Sequence, residues 1–311
     1  MPDPVAGPGE VLVRVRASGV NPSDTKQRAG WRGARPAFPR IIPHADGAGE
    51  IAAVGAGVDA GRVGERAWIY NGVGLYDARR DFGTAAEFIA VPAEQAVPLP
   101  ARMSFAEGAC LGVPAETAHR AVFTDGPVEG QTILVAGGAG AVAHYAIQFA
   151  KLGGARVIAT TSTPAKAAHA KAAGADIVID RRSEDVAARV LALTQDQGVE
   201  RIVEVDFGAN LAIDVKAIRV NGVIASYSST AVPEPAFPYY PLAFKGVTVR
   251  LIQGYNLPAA ARRDAIDAIA RWGGAGKLVH AIARRFPLAE IAHAHEFLES
   301  GQAIGNVLVE V

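Results

Sequence analysis

The amino-acid sequence predicts an α/β fold in which a doubly wound parallel sheet is joined to a second, antiparallel β domain. Three observations support this prediction. A strand–glycine turn–helix–strand unit occupies residues 133–161, short strands with turn signals precede it, and strands alternating with helices follow it. Alternating strands and helices are typical of parallel sheets, whereas short strands separated by turns are typical of antiparallel ones.

The unit at 133–161 has the pattern of a Rossmann dinucleotide-binding site. Between its first strand and its helix, Gly138-x-Gly140-x-x-Ala143 matches the G-x-G-x-x-G/A fingerprint. Gly138 is predicted to permit the tight turn, Gly140 to admit a pyrophosphate, and Ala143 to keep the helix close to the sheet. The first helical N–H groups and the helix dipole would then face the phosphates. The predicted phosphate-binding residues are Gly138, Ala139, Gly140, Ala141 and Val142.

The residues beyond the glycines favour NADP(H) over NAD(H). An NAD site places an acidic residue about 20 positions after the glycines, on the ribose hydroxyls. Residues 160–163 read Thr-Thr-Ser-Thr, and the next acid is Asp176. Without a carboxylate to repel it, a 2′-phosphate can be accommodated and paired with nearby cations. The residues predicted to surround it are Ser162, Lys166, Arg181 and Arg182; the alternative is that these cations are solvated surface charges.

Composition and charge exclude several classes of function. The 311 residues carry 31 basic and 31 acidic side chains, so there is no electrostatic case for nucleic acid or an anionic membrane as a partner. No apolar run approaches the length of a membrane span, and the first residues lack the regions of a signal peptide. The single cysteine, Cys110, excludes an intrachain disulfide and a four-cysteine zinc site. The expectation is a soluble, cytoplasmic protein.

The elements on either side of the glycine unit differ in character. Before it, short strands indicate a barrel-like β domain, and a single helical stretch is predicted over 104–123. After it, strands alternate with helices, as expected for the rest of a doubly wound sheet. The predicted strands before the unit cover 10–17, 64–70 and 86–91. Those after it cover 176–180, 201–205, 222–225, 248–252 and 307–309.

Motifs spread through the chain resemble those of the medium-chain dehydrogenase/reductases. They are Gly-Glu-Arg-x-Trp at 64–68, Gly-Thr-Ala-Ala-Glu-Phe at 83–88 and Gly-Val-Pro-Ala-Glu-Thr-Ala at 112–118, followed by the glycine loop. Within this family the chain is most similar to the zinc-free NADPH:quinone oxidoreductases of the zeta-crystallin type. Nearly the whole chain takes part in the resemblance.

This resemblance implies a domain arrangement, a cofactor and an oligomer. A split GroES-like catalytic domain, similar to chaperonin-10, would cover 1–113 and 255–311, and a Rossmann domain would cover 114–254. The cofactor would be NADP(H), and the protein would usually be a homodimer joined along the last Rossmann strand. The implied site residues are Asn21 near the nicotinamide and substrate, Thr117 near the ribose or nicotinamide, and Tyr227 and Ser228 beside the cofactor.

The positions that bind catalytic zinc in related alcohol dehydrogenases carry other residues here. By resemblance, a ligand cysteine corresponds to Asn21, a ligand histidine to Ala45, and the third ligand falls near Val113. A catalytic zinc needs three protein ligands, and only Asp46 could remain. His44 is one residue out of register. No metal site is therefore predicted.

Without a Lewis acid, an acceptor that is already electrophilic is a better substrate than an alcohol. A quinone or an α,β-unsaturated carbonyl reduced with NADPH fits, because the nicotinamide supplies the hydride. Asn21 would donate a hydrogen bond to the acceptor carbonyl, unless it only caps a turn. Two other readings stay open: an NADPH-binding protein with little turnover, and an alcohol dehydrogenase that has lost its zinc sites.

Other polar and aromatic residues are interpreted as structural. His293 and His295 lie two apart in a helical stretch and would not share a face. Glu204 and Asp206 lie at the end of a strand. They are expected at the edge of the sheet where the cofactor binds, or in a turn. Trp31 would stack on a flat ring or pack within its loop.

The β domain is expected to lack an edge near its first strand. Relatives usually carry a strand pair before the segment in which this chain begins. We therefore expect an exposed strand edge, or a substitute partner, near residues 11–15.

Overall fold

The computed structural model describes residues 1–30, 38–74 and 79–311. It divides into two compact units, one formed by Met1–Glu116 with Arg262–Val311 and the other by Thr117–Ala261. No helix in the described ranges has the length and apolar character needed to cross a membrane.

The secondary structure of the described residues is as follows. The strands are β1 (Glu10–Val20), β2 (Asp46–Val54), β3 (Arg66–Ile69), β4 (Phe88–Pro92), β5 (Ala96–Pro98), β6 (Thr132–Val135), β7 (Arg156–Thr161), β8 (Ile177–Asp180), β9 (Val199–Glu204), β10 (Ile218–Ser226), β11 (Thr248–Leu251), β12 (Ile282–Pro287) and β13 (Asn306–Glu310). The α-helices are α1 (Pro22–Arg28), α2 (Phe105–Gly108), α3 (Gly112–Phe123), α4 (Ala141–Leu152), α5 (Pro164–Ala172), α6 (Val186–Leu193), α7 (Phe207–Ala217), α8 (Tyr239–Phe244), α9 (Ala259–Gly274) and α10 (Ile291–Glu299).

The unit formed by Thr117–Ala261 contains a six-stranded parallel sheet in the order β11-β10-β9-β6-β7-β8. Its strands read as continuous apolar runs because both faces are covered, and Leu134, Ile158 and Ile202 are buried in one cluster. The strand order reverses between β6 and β9. In doubly wound sheets, ligands bind outside the carboxyl ends of the strands at such a point. This is the Rossmann topology predicted from the sequence.

The other unit contains a seven-stranded, mostly antiparallel sheet with the architecture of a GroES-like domain. Its order is β12-β13-β1-β2-β3-β5, with β4 also paired to β1. The alternation predicted for β1 is present, since Val11, Val13 and Val15 are buried while Arg14 and Arg16 are exposed. The pairing of β12 with β13 is parallel, which makes the sheet mixed rather than purely antiparallel.

The expectation of an exposed edge near residues 11–15 is wrong, because strands of the same chain pair with both sides of this stretch. β4 pairs with residues 10–14 of β1 on one side, and β2 pairs with residues 11–19 on the other. Beyond the end of β4, residues 17–20 pair with β13. β1 is therefore a central strand, because a later segment of the same chain covers the edge that was expected to be open.

The single helix predicted over 104–123 is interrupted between α2 and α3. The amides of Cys110 and Leu111 bond three residues back, to Glu107 and Gly108, so the helix tightens and ends. The segment before the break packs closely against β2. A Cβ atom at Gly108 would lie 2.8 Å from Cβ of Ala48, so this segment must follow the surface of the sheet.

Candidate functional site

The loop between β6 and α4 has the geometry of a phosphate cradle. α4 begins after Gly140, which is its N-cap and provides no side-chain hydrogen bond. The first N–H groups of an α-helix have no partner inside the helix, so they and the dipole are available to an anion. A Cβ atom built at Gly140 would meet only the carbonyl oxygen of Gly137, at 3.6 Å. The missing side chain thus leaves open space in front of Ala141 and Val142.

Gly138 does not have the conformational role predicted for it. The left-handed residue is Gly137, with φ of 67°, so the tight turn depends on the preceding glycine. A Cβ atom at Gly138 would lie 3.0 Å from Cβ of Ala159 and 3.2 Å from Cβ of Ala170. Gly138 therefore lets the loop pack onto β7 and α5. Ala143 is fully buried, as close packing of α4 on the sheet requires.

The carboxyl end of β7 holds the glycine loop with hydroxyl-bearing residues. The Thr160 hydroxyl accepts the N–H of Gly137 at 3.1 Å, and its carbonyl accepts the N–H of Gly138 at 2.9 Å. The hydroxyl oxygen of Thr161 is buried without a hydrogen-bond partner in the described ranges. No acid stands among residues 160–163, where an NAD-type site would have one.

Predicted cofactor residues lie around this same end of β7. The backbone N–H of Arg181 donates to the carbonyl of Thr161 at 3.0 Å, so Arg181 follows β8 beside it. The Arg181 side chain is exposed and forms no ion pair within the described ranges. Ser162 follows β7 directly, and Lys166 lies in the first turn of α5, capped by Thr163. The structure therefore brings Ser162, Lys166 and Arg181 to one edge of the sheet.

Tyr227 and Ser228 follow β10 at the same edge of the sheet. The N–H of Tyr227 donates to the carbonyl of Glu204 at 3.1 Å, and the carbonyl of Ser228 accepts the N–H of Phe207 at 3.0 Å. Burial and the nearby Glu204 carboxyl raise the pKa of Tyr227, so its hydroxyl stays protonated. Thr117 is buried on α3, and the hydrogen bonds described do not join it to the glycine loop.

In the unit that contains Asn21, the positions compared with zinc ligands form a hydrogen-bonded cluster. The side-chain Nδ2 of Asn21 donates to Oδ2 of Asp46 at 2.7 Å. The backbone N–H of Val113 donates to both Asp46 oxygens, at 3.0 and 2.9 Å. Ala45, beside Asp46, is fully buried. We call Asn21, Asp46 and Val113 the Asn21 cluster.

Two glycines permit the Asn21 cluster to form. A Cβ atom at Gly112 would lie 2.1 Å from Oδ1 of Asp46, and one at Gly19 would lie 2.3 Å from the carbonyl oxygen of Ala109. Only glycine at position 112 lets the start of α3 approach the carboxyl group. The sequence places this segment in a family motif and near a zinc-ligand position, but it does not predict this role for Gly112.

Buried acids surround Asn21. Asp24 accepts the backbone N–H of Asn21 at 2.8 Å, and both Asp24 and Asp46 are almost fully buried. Burial raises the pKa of Asp24 to about 8, opposed by the Asn21 backbone hydrogen bond. Burial likewise raises the pKa of Asp46 to about 7, opposed by hydrogen bonds from Asn21 and Val113. Both pKa values therefore lie above the usual range of aspartate.

A buried histidine pair was missed from the sequence. His295, interpreted as structural together with His293, lies 2.8 Å from His44, Nε2 to Nε2. His293 is exposed, and its Nδ1 lies 3.8 Å from Glu290. The pair belongs to a hydrogen-bonded chain with distances of 3.0, 2.8, 2.8, 2.7 and 2.6 Å. From the surface inward, each group donates to the next: Arg28, His295, His44, Ser18, Thr84 and the backbone carbonyl of Asp46.

The direction of this chain fixes both imidazoles as neutral. A guanidinium can only donate, so Nδ1 of His295 must accept from Arg28 and its Nε2 must carry the proton. Nε2 of His44 then accepts, and its Nδ1 donates to Ser18. Protonating His44 would place two N–H donors against each other. Burial and the neighbouring His295 lower the pKa of His44 to about 3.

We expect acid to destabilise the wild-type protein more than a His44→Asn variant. Between pH 6.5 and about 3 the unfolded imidazole binds a proton and the folded one does not, so the free energy of unfolding falls as pH falls. The expected difference in slope is up to about 1.4 kcal/mol per pH unit. Asparagine tolerates the positive φ of 78° at this position.

Urea unfolding of both proteins between pH 7 and 5 measures this difference. Asp24 and Asp46 have raised pKa values, so their contribution to the free energy of unfolding is lost as pH rises. This loss occurs in both proteins. Subtracting the two curves therefore isolates His44. Parallel curves would contradict the neutral histidine pair.

The remaining residues singled out from the sequence belong neither to the Asn21 cluster nor to the glycine loop. Glu204 accepts the side-chain N–H of Asn210 at 2.8 Å and thereby holds the turn into α7. Cys110 is buried, and its thiol donates to the carbonyl of Ala106. Trp31 lies outside the described residues.

Comparisons with known proteins match both units. Residues 7–101 match the model of the alcohol dehydrogenase GroES-like domain, and residues 141–271 match that of the zinc-binding dehydrogenase family. The quinone oxidoreductase of Pseudomonas aeruginosa is 30% identical over 307 residues, which cover 97% of this chain and 91% of that protein.

A second curated relative and a solved structure extend these matches. The 2-methylene-furan-3-one reductase of Solanum lycopersicum is 27% identical over 303 residues, covering 96% of this chain and 71% of that protein. A mycobacterial protein solved in complex with NADPH has a TM-score of 0.87 at 28% identity, covering 100% of this chain and 94% of that one.

Proposed function

The chain belongs to the quinone oxidoreductase family of the medium-chain dehydrogenase/reductases, and we propose that it is a zinc-independent, NADPH-dependent reductase of quinones and α,β-unsaturated carbonyls. The observation that carries the proposal is the Asn21 cluster. Where a zinc enzyme needs three ligands, these positions supply an amide, a carboxyl group occupied by N–H donors, and a backbone N–H.

Asn21 is the group that we assign to the acceptor carbonyl. Its amide nitrogen carries two N–H donors, and Asp46 accepts one of them, which fixes the orientation of the amide. Because the amide group is planar, its second N–H is then fixed as well. This N–H can donate to the carbonyl oxygen of the acceptor, on which negative charge develops during hydride addition. A preorganised donor of this kind stabilises the transition state of hydride addition.

The sheet edge around Gly140 fits NADP(H). The open space at Gly140 and the uncapped start of α4 suit a pyrophosphate, and the cation Arg181 beside the acid-free end of β7 suits a 2′-phosphate. The bound nicotinamide would supply the hydride. By family resemblance we also assign cofactor contacts to Thr117, Tyr227 and Ser228. Cofactor binding would thus belong to the Rossmann unit and acceptor polarisation to the GroES-like unit.

Replacing Arg181 with alanine is expected to lower the preference for NADPH over NADH by about tenfold, or about 1.4 kcal/mol. The variant loses a cation that pairs with the 2′-phosphate, a group absent from NADH. Because Arg181 is exposed, folding should not change. Steady-state kcat/KM with both cofactors measures the effect, and Lys171→Ala, an exposed cation on α5, is the control. An unchanged preference for NADPH over NADH would mean that a residue other than Arg181 binds the 2′-phosphate.

The acceptor class is tested by turnover with a panel of compounds. Quinones and enones are offered with NADPH, and alcohols are offered with NADP⁺. The enones are included because the name of the Solanum lycopersicum relative, 2-methylene-furan-3-one reductase, contains an enone. We expect NADPH oxidation by quinones or enones and no oxidation of alcohols. Alcohol oxidation alone would favour an alcohol dehydrogenase, and NADPH binding without turnover would favour a binding protein.

We further propose a homodimer joined along β11. In the described part of the chain β11 pairs only with β10, so one edge is free to pair with a second copy. Large apolar side chains are exposed nearby, with Leu251 at 78% and Phe244 at 83%.

The combined variant Leu251→Glu/Phe244→Glu is expected to convert the dimer to a monomer, because buried charges would oppose the interface. Analytical ultracentrifugation measures the mass. Val63→Glu, at an exposed apolar position in the other unit, is the control and should leave the dimer intact. A monomeric wild-type protein would contradict the proposed dimer.

A further inference from the structure

Thr84 holds the backbone on both sides of Ala45. Its N–H donates to the carbonyl of His44 at 2.9 Å, and its hydroxyl donates to the carbonyl of Asp46 at 2.6 Å. Thr84 is fully buried, so water does not compete for these hydrogen bonds. The hydroxyl is therefore bonded directly to the residue whose carboxyl group orients the amide of Asn21.

Glycines on two segments of the same unit let Thr84 reach this position. A Cβ atom at Gly47, the residue after Asp46, would lie 2.8 Å from Cβ of Thr84, and one at Gly72 would lie 2.9 Å from its Cγ2. Because carbon atoms pack at about 3.5–4.0 Å, a larger residue at either position would displace Thr84. The methyl group of Thr84 packs against Gly72, which fixes the side chain with its hydroxyl toward Asp46.

The direction of the hydrogen-bonded chain reserves the hydroxyl proton of Thr84 for Asp46. Nδ1 of His44 donates to Ser18, so the Ser18 hydroxyl in turn donates to Thr84, at 2.7 Å. A hydroxyl group carries one proton and can accept as well as donate. The oxygen of Thr84 therefore accepts from Ser18, and its only O–H is left for the carbonyl of Asp46.

We propose that Thr84 is a positioning residue for Asn21, a role that rests on the proposed reductase function. The hydroxyl of Thr84 fixes the main chain of Asp46, and the carboxyl group of Asp46 accepts Nδ2 of Asn21 at 2.7 Å. Val113 binds the same carboxyl group from the start of α3, so a movement of Asp46 must lengthen one of these hydrogen bonds. A donor stabilises the transition state only when it is held within about 0.5 Å of the productive geometry.

The variants Thr84→Ala and Thr84→Ser differ by one hydroxyl group and test this role. Both lose the methyl group, so the comparison between them isolates the hydrogen bond to Asp46. We expect kcat/KM for quinone reduction to be about 10–100-fold lower in Thr84→Ala than in Thr84→Ser, with the same dissociation constant for NADPH. Thr194→Ala is the control and should keep the wild-type kcat/KM, because the hydroxyl of Thr194 donates to the carbonyl of Val190 in the other unit, at 2.8 Å.

The same two variants in an Asn21→Ala background show whether Thr84 acts through Asn21. With the amide donor removed there is nothing left to position, so the two double variants should have the same kcat/KM. A hydroxyl that served only the fold would lower kcat/KM by the same factor in both backgrounds. That result, or equal kcat/KM for Thr84→Ala and Thr84→Ser when Asn21 is present, would overturn the positioning role and leave the reductase function in place.

Hydrogen exchange of the Asn21 side-chain amide, followed by NMR, tests the positioning without turnover. The amide signal is identified by its absence from Asn21→Ala. The amide should be protected from exchange in the wild-type protein and in Thr84→Ser, and it should lose this protection in Thr84→Ala. Equal protection in the two Thr84 variants would overturn the proposal even if the protein reduced no acceptor. The expected protection in a wild-type protein that reduces no acceptor would confirm the hydrogen bond from Thr84 and overturn the proposed function alone.

Discussion

Replacing Asn21 with alanine is expected to lower kcat/KM for quinone reduction by about 10²–10³-fold, the effect of losing one oxyanion donor. The amide nitrogen is held at 2.7 Å from Asp46, so its orientation is fixed before the acceptor arrives. Alanine removes this donor and leaves Asp46 with the N–H of Val113 alone. Steady-state kinetics with a quinone, together with the dissociation constant for NADPH, measure the effect; the latter should stay constant.

The alternative role of Asn21, as a helix cap, predicts a different outcome. Asn21 precedes α1, and losing a cap costs about 0.5–2 kcal/mol of stability without touching chemistry. Ser104→Ala is the matched control, because Ser104 caps α2 at an exposed position away from the Asn21 cluster. If Asn21→Ala behaves like Ser104→Ala, with lower stability and an unchanged kcat/KM, the assigned role of Asn21 fails.

Two neighbouring glycines are expected to respond in opposite ways to the same substitution. Gly140→Ala should raise the dissociation constant for NADPH at least about tenfold, or about 1.4 kcal/mol, because the new methyl group fills the space that a pyrophosphate needs. Since this methyl group meets nothing closer than 3.6 Å, stability should fall by less than about 1 kcal/mol. Titration with NADPH and thermal unfolding measure the two quantities.

Gly138→Ala is the partner variant in this comparison. Its methyl group would lie 3.0 Å from Ala159 and 3.2 Å from Ala170, so overpacking should cost about 1–3 kcal/mol of stability. NADPH affinity of the folded fraction should change less than in Gly140→Ala. Equal affinity losses in both variants would contradict the assignment of phosphate approach to Gly140.

Local signals in the sequence predict the Rossmann unit well. Its strands are short apolar runs and its helices are amphipathic, so propensity and periodicity agree with the final structure. The absence of an acid at residues 160–163 is also visible without coordinates. The fingerprint predicts the tight turn at Gly138, whereas the positive φ belongs to Gly137, because a glycine pair does not reveal which member adopts it.

Contacts between distant segments could not be predicted in this way. His44 and His295 are 251 residues apart in the sequence and meet only in the folded chain, so no local pattern in the sequence marks the pair. The edge of β1 that is expected to be open is covered by β4, which lies about 78 positions later in the chain and is itself predicted as a strand.

The central claim is quinone reduction without zinc, and metal analysis combined with turnover tests it most directly. The purified protein is assayed for bound zinc, and NADPH-dependent quinone reduction is then measured before and after treatment with a strong chelator. We predict far less than one zinc per chain and an unchanged rate, because Asn21, Ala45 and Val113 offer no ligand set. One zinc per chain, with activity lost to the chelator and restored by Zn²⁺, would contradict the account.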